Sequence, residues 1–183
     1  MKAGASLALL AAFYCAPAAA QSPRPAPPVP AAAPPPAPRP ERTTASYGDW
    51  TLRCEQPANL AERSCEVAQP IMDARGQPIA QMVVKRGTEG GSLLVSVQVA
   101  TNISLPEPVQ LLIEDQTVLT LTFRRCLPRG CFAEVEQRSA DVFGIARRGE
   151  AAKLEYRDAA GALVSVPMPL RGLVAALEAL ARS

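Results

Sequence analysis

The chain has 183 residues, nineteen basic against seventeen acidic, a formal charge of +2, and no histidine. The missing imidazole excludes Ser-His-Asp and Cys-His catalysis and every histidine-bearing zinc site. The near balance of charge leaves no global field to recruit nucleic acid, and the length fits one domain with appendages.

The first twenty residues read as a secretory signal peptide. Lys2 supplies a short positive start, Ala5 to Tyr14 is apolar, and Ala18-Ala19-Ala20 offers small residues for cleavage before Gln21. The apolar run is too short to span a bilayer, and no later stretch is longer, so no transmembrane segment is expected once the signal is removed. Tyr14 stands before Cys15 where lipid attachment wants a small residue, which argues against a lipoprotein. Loss of the signal leaves Cys54, Cys65, Cys126 and Cys131. An even number in an exported chain implies two disulfides and an oxidising compartment.

Residues 21–45 read as a disordered linker rich in proline and alanine. Between Pro23 and Pro40, ten of eighteen residues are proline, which biases the run to polyproline II. At about 3.1 Å per residue it could extend to roughly 55 Å.

The folded domain is expected over residues 46–183. Trp50, Leu52 and Cys54 alternate with polar residues in a first strand, and Cys65 and Val67 do so in a second. A Cys54–Cys65 bridge would therefore join neighbouring strands. Ala80, Met82 and Val84 mark a third strand, and Leu93, Val95, Val97 and Val99 a fourth with the clearest alternation. Residues 102–108 form a loop interrupted by proline. Val109 to Glu136 then reads as three consecutive strands, the first two turning at Glu114-Asp115. The second and third join through Cys126-Leu-Pro-Arg-Gly-Cys131. Pro128 presets φ for a type I turn and Gly130 suits a left-handed position closing a bulged hairpin, so Cys126 and Cys131 are close enough to bridge.

Beyond Glu136 the period changes. Ser139 is placed to cap a short helix over 140–148 that stops at Gly149. Strands follow around Ala152–Tyr156 and Val164–Val166, and Leu173, Leu177 and Leu180 share a face of a last helix over 172–181. About nine short strands and two small helices predict a mainly β, antiparallel, immunoglobulin-like β-sandwich with a C-terminal helix.

No catalytic residue, metal ligand set or cofactor motif emerges. C-x4-C at a hairpin is not the C-x-x-C of a redox helix. Glu134 and Glu136 share the solvent side of one strand, and Gly90-Gly91 simply precedes a strand. Arg124, Arg125 and Arg129 crowd the stapled hairpin, either as a charged edge that blocks unwanted strand pairing or as the candidate partner-binding site. An acidic envelope or host-side partner would suit them: a protein, a glycan or a lipid headgroup.

With both cysteine pairs placed, the chain resembles the invasion-associated locus B family of exported bacterial proteins. The residues that carry the resemblance are Tyr47-Gly-Asp-Trp50-x-Leu-x-Cys54, Cys65 with Val67-Ala-Gln69, Phe123-x-x-Cys126-x4-Cys131-x-Ala133, and Val166-Pro-x-x-Leu170-x-Gly172-Leu-x-x-Ala-Leu177. Leu173 stands where the family often has an aromatic residue. The resemblance implies an immunoglobulin-like sandwich in the Gram-negative envelope, periplasmic or exported beyond the outer membrane. It also implies a link, in some members, to host-cell entry. The family has no established catalytic residues to carry over. A non-catalytic binding or envelope-support module is the leading expectation. A small periplasmic enzyme using carboxylates, or a thiol-redox accessory, is the rival.

Overall fold

Period-two alternation becomes a sheet. The computed structural model describes residues 42–56 and 62–183; the signal peptide, Cys15 and the proline run fall outside the described residues. Ten strands form in chain order: β1 (Arg42–Tyr47), β2 (Trp50–Glu55), β3 (Ser64–Met72), β4 (Pro78–Arg86), β5 (Ser92–Val99), β6 (Val109–Ile113), β7 (Gln116–Leu127), β8 (Gly130–Arg138), β9 (Ala151–Arg157) and β10 (Leu163–Pro169). Helix α1 (Ser139–Ala146) follows β8, and α2 (Leu173–Arg182) ends the chain. The mainly β, antiparallel class with a C-terminal helix is as expected.

All ten strands belong to one antiparallel sheet, in the order β1-β2-β3-β4-β5-β8-β7-β6-β9-β10. Its two layers are continuous through the twelve-residue β7. The first half of that strand pairs with β6, through Leu121 opposite Val109, and the second half pairs with β8, from Thr122 to Leu127. The sheet turns over along this strand, and β10 meets β3 across the interior. A single core results, with Val67, Val84, Val95 and Val97 from one half and Leu111, Leu121, Leu154 and Met168 from the other. Full burial of such side chains contributes roughly 1.5–3 kcal/mol each.

Two boundaries differ from expectation. The sheet begins at Arg42, inside the stretch expected as linker, because the β-branched Thr43 and Thr44 follow the last proline and pair with β2. β1 is polar and mostly exposed, so no alternation announces it. Helix α1 begins at Ser139, which does not cap it. The Ser139 hydroxyl and N–H both donate to the Gly91 carbonyl, tying the helix start to the β4–β5 turn.

The first and last parts of the described fold meet in a joint that alternation could not reveal. The β1–β2 turn at Gly48-Asp49 lies backbone against backbone on Arg171-Gly172, which lead into α2. Asp49 N–H donates to Arg171 O at 3.1 Å, and the Arg171 guanidinium grips the Asp49 carboxylate with bonds of 2.9 and 3.2 Å. Gly172 has φ +89°, and a Cβ there would stand 2.0 Å from Tyr47 O. Only glycine fits that approach. Beneath the joint, α2 packs Leu173, Ala176, Leu177 and Leu180 against β1, β2 and β3, and Trp50 is wholly buried.

Candidate functional site

The hairpin between β7 and β8 is stapled as expected. Cys126 and Cys131 are directly opposite each other, Cα atoms 3.9 Å apart, and are bridged. Cys54 and Cys65 are likewise opposite, at 4.0 Å, and bridged between β2 and β3. Cys131 and Cys54 are buried, whereas Cys126 is exposed. The turn itself differs in detail. Gly130 has φ +148° and already belongs to β8, and a Cβ on it would lie 2.5 Å from Val99 O. Both this positive φ and the close approach to β5 require glycine here.

The three candidate arginines do not act as one cluster. Phe123 and Cys126 both oppose buried residues of β8, Ala133 and Cys131, although three positions separate them in sequence. A bulge between Phe123 and Arg125 supplies the extra residue that restores the facing. Arg124 is that residue, and it is exposed. Arg125 is spoken for: its guanidinium pairs with Glu134 at 2.9 Å and lies over the Phe132 ring, 4.9 Å from the centroid. Arg129 stands at the turn, exposed, its carbonyl accepting from Gln98 Nε2 at 2.9 Å.

The paired acids of β8 separate as well. Glu134 is 16 % exposed and held by Arg125, so it does not simply face solvent. Glu136 is a clasp. Its carboxylate accepts from the Ser92 and Thr88 hydroxyls and from the N–H groups of Thr88 and Glu89. These donors, the Ser92 hydroxyl foremost, lower its pKa from 4.5 to about 2. A carboxylate so committed binds the β4–β5 turn to β8 and is poorly suited to proton transfer near neutrality. Among the described residues, no three Cys, Asp or Glu side chains converge to hold a metal ion, and no helix is long and apolar enough to cross a membrane.

Two of the grooves among the described residues lie at opposite ends of β4 and β5. One, of about 360 Å³, lies between the β4–β5 turn and the two helices, over Leu93, Phe143, Leu177 and Leu180. The other, of about 610 Å³, opens where β4 begins and β5 ends, between Ile79, Val99, Tyr156 and Val164, with Arg129 on its wall. Burial, and then the Asp158 charge, push the Tyr156 phenol above its ordinary pKa.

The family model described as Invasion associated locus B (IalB) protein matches residues 50–181. Among solved structures the chain is similar to the crystal structure of invasion associated protein B from Bartonella henselae. That likeness has 20 % identity over 76 % of this chain and 95 % of the other, with a TM-score of 0.65, and it speaks to fold. No curated protein matches the chain.

Proposed function

Because the chain belongs to the invasion associated locus B family of exported bacterial proteins, we propose that it works in the Gram-negative envelope by contact and not by turnover. In this reading the protein is periplasmic or displayed beyond the outer membrane, and the Cys126–Cys131 hairpin edge meets an acidic partner. The family is not a known enzyme family. One observation carries the reading: Arg124 and Arg129 stand exposed on an edge made rigid by a disulfide, while Arg125 braces that edge through Glu134 and Phe132. Any contribution to host-cell entry would use the same edge.

The test separates recognition from bracing. Arg124→Ser with Arg129→Ser should weaken capture of an acidic partner from envelope extracts several-fold, with stability within about 0.5 kcal/mol of the parent. Arg125→Ser should instead lower stability by about 1 kcal/mol, because Glu134 is left part-buried without its guanidinium; solvent screening keeps the figure small. Capture that survives the double change ends the hairpin reading. Turnover that a single carboxylate substitution abolishes ends the contact reading altogether.

A further inference from the structure

Scattered exposed aliphatic residues are ordinary on protein surfaces, but their concentration is not. Among the described residues the exposed large apolar side chains are Met72, Leu105, Leu127 and Leu163, each 47–56 % exposed. Strand register brings all four to one end of the sheet. Met72 lies opposite Pro78, where β4 begins. Leu127 lies opposite Gly130, and the next pair of β8, Cys131 with Val99, marks the end of β5. Leu163 lies opposite Arg157 at the end of β9. Leu105 follows Ser104, whose N–H donates to Arg157 O, and Ile103 bridges to Asp158. The 610 Å³ groove, lined by Pro78, Val99, Arg129 and Val164, opens among them. Both helices line the groove at the opposite end of β4 and β5, so neither covers this rim.

We propose that this end of the protein docks on a phospholipid surface, inserting its four aliphatic side chains to the depth of the headgroup and acyl boundary. The inference rests on the contact reading above and names the partner. Three features select lipid. The four exposed apolar groups are on four separate connections rather than one flat face, and all are aliphatic, suited to the acyl boundary. Arg75, Arg129 and Arg157 are spaced around the same connections; Arg157 Nη1 already donates to Gly161 O at 2.9 Å, which leaves Arg75 and Arg129 as the guanidinium groups to meet lipid phosphates in bidentate pairs. The carboxylates of Asp73 and Asp158 are turned into their own loops, Oδ1 of each accepting two backbone N–H groups. Glu107 completes the count, three acids against three bases, so insertion of aliphatic groups and not net charge is the main attraction.

The experiment is co-sedimentation of the purified, disulfide-intact protein with vesicles of phosphatidylethanolamine and phosphatidylglycerol. The parent protein should partition onto them, and rising salt should weaken binding less than about threefold. Leu127→Ser combined with Leu163→Ser should cut partition at least about tenfold, with an unchanged near-ultraviolet circular dichroism spectrum. No partition of the parent at millimolar lipid, or undiminished partition of the double variant, overturns the proposal. So does self-association without vesicles that the same variant abolishes, which reassigns the rim to a second copy. Failure with vesicles while capture through Arg124 and Arg129 persists would sink the lipid inference and leave the contact reading standing.

Discussion

The stapled hairpin and the terminal joint hold the same sheet by opposite means. At the hairpin, Cys126 and Cys131 are five positions apart and a covalent bond closes a turn that the chain would form locally. At the joint, Asp49 and Arg171 are 122 positions apart, and backbone approach, one N–H bond and an exposed ion pair do the work. The hairpin restrains mainly itself. The joint ties the β1–β2 edge of the sheet to the start of α2, so two elements depend on one contact. A covalent bond is therefore not a sign of where the fold is most vulnerable.

The joint should break first and hardest. Gly172→Ala needs a side chain at φ +89° with its Cβ 2.0 Å from Tyr47 O. Neither backbone can yield without releasing the other, so the expected loss is at least about 3 kcal/mol. Trp50 is the chain's one tryptophan and is wholly buried beneath this region. Its fluorescence should shift red in the variant under conditions where the parent is folded. A variant with parental stability and parental emission would show that the joint is not a keystone.

The staple should cost less and report elsewhere. Cys126→Ser with Cys131→Ser opens a short loop, and the chain-entropy estimate for it is roughly 2 kcal/mol. Denaturant unfolding should show that loss with native Trp50 emission unchanged, since the hairpin lies on β7 and β8 and the tryptophan on β2. The Cys54–Cys65 bridge closes a longer loop on β2 itself, and its removal should cost roughly 3 kcal/mol. Crossed connectivity in non-reducing peptide maps would undo this ordering.

Physical locality explains what could be read in advance. β5 was legible because Leu93, Val95, Val97 and Val99 alternate without interruption, and the hairpin because its turn residues and cysteines are contiguous. β1 was not, since a polar edge strand has no buried face to alternate. Tyr47-Gly-Asp-Trp50 and Leu170-x-Gly172 stood out as family motifs, yet nothing local says that they touch. Arg125 looked equivalent to Arg124 and Arg129 because sequence does not reveal a bulge or the reach of Glu134. The apolar rim is not legible in sequence for the same reason. Met72, Leu105, Leu127 and Leu163 are far apart in the chain, and only the pairing of strand ends collects them.

Glu136 provides a third kind of join, polar and exposed, and pH can tune it without touching the disulfide. Its carboxylate gathers the β4–β5 turn by accepting from Ser92, Thr88 and Glu89, and its pKa falls from 4.5 to about 2 in consequence. A lowered folded-state pKa means that the unfolded chain binds the proton first. The clasp therefore contributes fully above about pH 4.5, and its contribution is lost as pH falls toward 2. Glu136→Gln removes the charge that the donors converge on while keeping the shape. Scanning calorimetry should find the variant less stable than the parent near neutral pH, with the gap narrowing below pH 4.5 and closing near pH 2. The Cys126–Cys131 staple contains no titratable group, so its variant should run parallel to the parent there. A gap between Glu136→Gln and the parent that stays constant down to pH 2 would mean that packing, and not the charge on Glu136, holds the β4–β5 turn in place.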